Sequence, residues 1–150
     1  ALSTLDTGRI SLAAGAVGLM QRALDLSLAY AGERKQFGKP IAQFQLVQEH
    51  LAAMKLDLEA ARLLTYRAAW KKVKGEPYTL EASLAKLFAS EAANRVAYRA
   101  IQVHGGYGFF EEYEVARLYR DARILTLYEG TSEVQKLIIG AHLTGVRAFA

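Results

Sequence analysis

Apolar residues recur three or four positions apart along almost all of this chain, and no stretch of five or more residues alternates as a strand. That spacing is the signature of helices burying one face. Ile10, Ala14, Val17, Met20, Leu24, Leu28 and Ala31 mark a first helix, with Asp6 or Thr7 placed to cap it. Phe44, Val47, Leu51, Met54, Leu58 and Ala61 mark a second, which fades at "KKVKGEPYT". Thr79 is placed to cap a third, striped by Leu84, Phe88, Ala92, Val96, Ala100 and Val103 and stopped by Gly105 and Gly106. A short helix is expected over Tyr113 to Arg120 and a last one from about Thr131, where Ser132 and Gln135 have capping-box spacing. The small residues Ala13, Ala14, Gly15, Ala16 and Gly18 leave room for a close backbone neighbour. The expected fold is all-α: an antiparallel four-helix bundle of three long helices and one or two shorter ones.

Composition narrows the function classes. Of 150 residues, 52% are hydrophobic, enough for one domain with a sizeable core and too many for a disordered chain. The net charge of +4 is mild and scattered, so nothing calls for nucleic acid, although an anionic ligand such as a nucleotide is compatible. Cysteine is absent, which excludes disulfides and thiolate chemistry. The longest apolar run, Ile10 to Met20, is too short to span a bilayer. No signal peptide is visible, and a chain opening on Ala1 is expected to be a fragment or a processed product.

Three loops stand out: 33–45, 102–110 and 125–133. "ERKQFGKPIAQFQ" reads either as a solvated turn or as a dinucleotide grip, with Arg34 on a phosphate and Phe37 on an adenine face. "QVHGGYGF" follows a helix, not a strand, and so fails the context of a phosphate-binding glycine loop; a helix stop is the simpler reading. His50, His104 and His142 lack metal-ligand spacing, so no metal site is expected. Arg117, Arg120 and Arg123 suit a solvated or ion-paired face. In "LTLYEGTSEVQKL", Glu129 reads either as a turn carboxylate beside a helix N-terminus or as a general base walled by Leu125, Leu127 and Tyr128.

Taken in order, "LDTGRI", "ERKQFGKPIAQFQLVQ", "QVHGGYGF", "RDARI" and "YEGTSEVQKL" resemble the C-terminal helical domain of acyl-CoA dehydrogenases over essentially the whole chain. The resemblance implies a longer flavoenzyme, with residues 1–150 as its helical bundle and an N-terminal helical and a middle β-domain outside this sequence. It implies FAD as cofactor, an acyl-CoA substrate, an electron-transfer flavoprotein as acceptor, and a homotetramer in the bacterial cytoplasm or the mitochondrial matrix.

Laid residue by residue, the family pattern makes Glu129 the base that takes the α-proton while the β-hydrogen leaves as hydride, giving a trans-2-enoyl-CoA. It assigns FAD contacts to Arg34, Gln36 and Phe37, which reach a neighbouring subunit's flavin, and to Phe44, Gln45, Gln102, Gly105, Gly106, Thr131 and Glu133. It assigns substrate contacts to Asp6, Arg9 and Gly130. Some branches carry the base on the first helix, at the position held here by Gly8, which favours Glu129. A short- to medium-chain straight acyl-CoA is the expected substrate. An acyl-CoA oxidase and a non-catalytic helical interaction module are the alternatives.

Overall fold

The computed structural model describes residues 2–148; the outer limits of the expected domain, 1 and 150, lie outside the described residues. Three long helices, α1 (Leu2–Glu33), α2 (Gln45–Val73) and α3 (Thr79–His104), are followed by two shorter ones, α4 (Glu114–Ile124) and α5 (Ser132–Thr144). The expected all-α fold is the observed one. Asp6 meets Thr79 where α1 and α3 begin, and Tyr30 stacks on His104 where they end, so these two helices run the same way. Asp57 binds Arg95 while Arg67 reaches Glu81, so α2 runs antiparallel to α3.

The third helix departs from the expected stripe. It carries buried residues on all sides, among them Ala82, Ser83, Ala85, Lys86, Ala89, Ser90, Ala93 and Ala97, because α1, α2, α4 and α5 all pack around it. Small side chains let several backbones approach one central helix. Met20, Met54 and Leu58 fill the widest part of the core. The glycines expected to admit a neighbour at Gly15 and Gly18 instead face outward, with nothing near the place of a Cβ.

Several cap expectations fail for one reason: tertiary partners take the side chains. The first helix already runs through Asp6 and Thr7. Thr79 is the first residue of α3, not its cap, and its hydroxyl donates to Asp6 Oδ2 at 2.6 Å. The capping box is absent: Thr131 caps α5 by accepting from the Val134 N–H, while Ser132 donates to Glu91 Oε1 at 2.5 Å. The fourth helix runs to Ile124, past the expected Arg120.

The loop 33–45 also holds more order than expected. Lys35–Gln36 (β1) and Lys39–Pro40 (β2) pair antiparallel around Phe37 and Gly38, whose φ values are 52° and 78°. Two consecutive left-handed residues make the tight turn that suits a two-residue hairpin. The hairpin is too short to change the fold class.

Candidate active site at the start of the first helix

Glu129 and Gly130 also form a left-handed pair, with φ values of 60° and 88°. Among the described residues, Phe37 and Glu129 are the two non-glycines with positive φ. The bend aims the Glu129 side chain at α1. A Cβ at Gly8 would lie 2.7 Å from Glu129 Oε2 and 2.8 Å from its Oε1 and Cδ, so the carboxylate occupies the notch left by the missing side chain. Glu129 Oε2 is buried and has no hydrogen-bond partner among the described residues. Of the expected walls, Leu125 is buried, whereas Leu127 and Tyr128 are about half exposed, at 46% and 47%.

The surrounding polar groups are engaged. Arg9 Nη1 and Asp6 Oδ1 form a buried ion pair of 2.7 Å, and Asp6 Oδ2 is taken by Thr79. Arg9 Nε reaches toward the Glu129 carbonyl at 3.5 Å. Gln135 Nε2 lies 3.1 Å from both the Glu129 and the Gly130 carbonyl oxygens. Lys86, fully buried, donates to the Gly130 carbonyl at 2.7 Å. Burial pushes the Lys86 ammonium below the usual lysine range; Glu91, Glu129 and Glu133 pull it back up, and Arg9 adds to the fall. Glu133 is exposed at the start of α5, its carboxyl held below the usual range by its own backbone N–H and the Thr131 hydroxyl. It borders a cleft of ≈ 300 Å³ with Glu91, Asn94, Arg123, Thr126 and Ser132.

Neither Lys86 nor Gln135 is among the site residues expected from the sequence. Lysine is rarely fully buried, and the one available signal was its setting in an Ala/Ser-rich run. Gln135 was visible only as a supposed capping-box partner.

A second group of expected site residues gathers at the far end of α1. Arg34 lies 5.3 Å over the Tyr107 ring, joining the hairpin to the glycine loop. Among the described residues no carboxylate pairs with Arg34. Phe37 is 92% exposed and meets only the edge of Phe44, which also lies under Lys39. Gln36, Gln45, Gln102, Gly105 and Gly106 are exposed on the same end. His104 is buried at the end of α3: its Nδ1 lies 2.8 Å from the Ala100 carbonyl and its ring stacks on Tyr30 at 4.3 Å. The loop packs back onto α3 at Gly108, where a Cβ would collide with His104 and Ile101. From Gly8 to this end is roughly 40 Å of helix at about 1.5 Å per residue, so the fold places the expected site residues in two clusters. Arg117 pairs with Glu114 and Arg120 with Glu111, the ion-paired face expected there. No group of three or more metal-ligating side chains occurs among the described residues, and no helix among them is long and apolar enough to cross a membrane.

The bundle thus lodges the Glu129 side chain in the notch at Gly8, with Oε2 unpartnered among the described residues. Residues 1–144 match the family described as acyl-CoA dehydrogenase, C-terminal domain. The chain belongs to the acyl-CoA dehydrogenase family and corresponds to that domain. It is 55% identical to the probable acyl-CoA dehydrogenase YngJ of Bacillus subtilis, covering 95% of this chain and 37% of that one. It is 50% identical to the 3-(aryl)acrylate reductase of Clostridium sporogenes, covering 95% and 38%. The structure of butyryl-CoA dehydrogenase from Megasphaera elsdenii superposes with a TM-score of 0.93 at 50% identity, covering 95% and 37%. The chain thus spans little more than a third of the length of these relatives.

Proposed function

We propose that this chain is the C-terminal helical domain of an FAD-dependent acyl-CoA dehydrogenase acting on short- to medium-chain straight acyl-CoA, with Glu129 as the α-proton base. The observation that carries this is the buried, unpartnered Glu129 Oε2 in the Gly8 notch. Leaving a buried polar atom unsatisfied costs about 1–3 kcal/mol, and the fold meets that cost while satisfying the adjacent carbonyls. An oxygen kept free of partners can receive a proton from a substrate carbon. Holding the thioester so that its α-carbon faces that oxygen would supply the positioning on which proton abstraction depends.

The far end suits FAD in its chemistry. A partly exposed guanidinium with no carboxylate partner among the described residues fits a phosphate, an exposed ring held at positive φ fits an aromatic face, and open backbone at Gly105 and Gly106 admits a close neighbour. Arg34, Gln36, Phe37, Phe44, Gln45, Gln102, Gly105 and Gly106 would hold it there, and Thr131 and Glu133 would meet it beside Glu129. FAD, when bound, supplies the acceptor for the β-hydride. The distance between the clusters supports a homotetramer in which the hairpin serves the flavin of a neighbouring subunit. Asp6, locked onto Arg9 and Thr79, would orient Arg9 and the substrate side of the notch; Gly130 would meet the thioester through its backbone. An electron-transferring flavoprotein is the proposed acceptor.

The test is anaerobic titration of the full-length protein with butyryl-CoA, octanoyl-CoA and isovaleryl-CoA, following loss of visible flavin absorbance. Bleaching by butyryl-CoA or octanoyl-CoA ahead of isovaleryl-CoA is expected. No bleaching by any saturated acyl-CoA, with oxidation of the reduced protein by 3-(aryl)acrylyl thioesters instead, would overturn the proposed substrate class.

A further inference from the structure

Glu129 sits in a left-handed backbone conformation that is uncommon and costly for a non-glycine residue. Both carbonyls of its turn are gripped by side chains from other elements. Lys86 on α3 donates to the Gly130 carbonyl, and Gln135 on α5 donates to the Glu129 and Gly130 carbonyls together. The two side chains are wholly buried, and each is an expensive choice for its place. Gly130 is the one hydrogen-bond acceptor of the Lys86 ammonium among the described residues, where an apolar side chain would avoid the desolvation. With its nitrogen turned to two acceptors, Gln135 leaves its own Oε1 buried without a partner. A Cβ on Gly130 would meet Gln135 Nε2 at 2.8 Å, so the glycine is needed for this grip as well as for its φ.

Stability alone does not account for two buried polar side chains spent on one turn. We propose that Lys86 and Gln135 are positioning residues: by fixing the two consecutive peptides that follow Glu129 and Gly130 through their carbonyls, they keep the Glu129 carboxylate in the Gly8 notch. This rests on Glu129 being the α-proton base. Freed of either donor, the turn can rotate, Glu129 can relax toward negative φ, and its carboxylate leaves the notch.

The experiment uses full-length, flavin-loaded protein and 3-thiabutyryl-CoA. This thioester has α-hydrogens but sulfur at the β-position, so it cannot lose a hydride. In deuterated water the base takes an α-proton from carbon and returns a deuteron, and mass spectrometry follows the exchange without any redox step. Glu129→Gln should abolish exchange. Lys86→Met and Gln135→Met should each slow it at saturating ligand by roughly 10–100-fold, since displacement of about 1 Å is worth that much. Flavin content and the dissociation constant of the thioester should stay within about threefold of the parent, which separates loss of positioning from loss of binding. The double variant should be slowed by less than the product of the two single effects, because both residues hold the Gly130 carbonyl of the same turn.

Wild-type exchange in either folded single variant overturns the proposal. Should Lys86→Met fail to load flavin, Gln135→Met decides it; failure of both to fold would make the pair structural and also overturn it. Undiminished exchange in Glu129→Gln would instead sink the base assignment, an outcome distinguishable from failure of the two donors.

Discussion

The molecule uses one backbone device twice, at opposite ends of α1, with opposite support. Phe37–Gly38 and Glu129–Gly130 each place a non-glycine residue and a glycine in the left-handed region. Around Glu129 the turn is tied from inside the chain: Arg9, Lys86 and Gln135 reach its carbonyls and Gly8 receives its carboxylate. Around Phe37 the hairpin has its own pairing and little else, and the ring stands 92% exposed. A left-handed non-glycine costs about 1–3 kcal/mol. At one end the chain itself offsets that cost; at the other it presents the strained residue outward. The first turn aims its side chain within this domain, and the second leaves one at the surface.

The largest effect should come from filling the notch. Gly8→Ala places a methyl 2.7–2.8 Å from the carboxylate atoms of Glu129, the mobile end of a side chain, so the fold can yield by moving the carboxylate. Turnover of the full-length protein should fall about 100-fold, while alanine within a helix should leave stability unchanged or raise it by up to about 1 kcal/mol. Steady-state kinetics beside a thermal melt separates the two. Unchanged turnover would break the contrast at its better-supported end.

At the other end, Arg34→Ala with Phe37→Ala should weaken flavin affinity about tenfold, the scale of one lost charge-assisted contact. The helices should melt within about 0.5 kcal/mol of the parent, as surface changes do. Flavin occupancy by absorbance and helicity by circular dichroism report these separately. Full occupancy would mean that the hairpin does not face the cofactor.

The smallest effect concerns the support beneath the hairpin end. Burial pulls the His104 imidazole below its usual 6.5, against the Ala100 hydrogen bond, so the folded state favours the neutral ring. Between its folded value and 6.5 the unfolded chain binds more protons, and stability therefore falls as the pH drops through that window. His104→Phe keeps a ring against Tyr30 but removes the titration. Its denaturant midpoint should change less between pH 7 and pH 5 than that of the parent, and an equal change would assign the acid sensitivity elsewhere.

Sequence periodicity was enough to place the helices, α3 included although it is buried on several sides, and glycine and proline marked their ends at Gly75, Pro77 and Gly105. Thr131 caps α5 through a partner only three residues away, Val134. Thr79, Ser132 and Gln135 were misread because their hydrogen bonds go to Asp6, Glu91 and the Glu129 turn, distant in sequence or outside the usual cap pattern. Lys86 escaped for the same reason, being held by a carbonyl 44 residues away. Glu129 could be singled out, but neither its fit to Gly8 nor its free oxygen could be read from spacing.

Glu129→Gln in the full-length protein tests the central claim most directly, with flavin bleaching by butyryl-CoA followed in a stopped-flow instrument. Flavin content and acyl-CoA binding should persist while the bleaching rate drops by roughly 10²–10⁴-fold, the scale of a positioned base. Bleaching near the parent rate would contradict the assignment of Glu129 as the group that removes the α-proton.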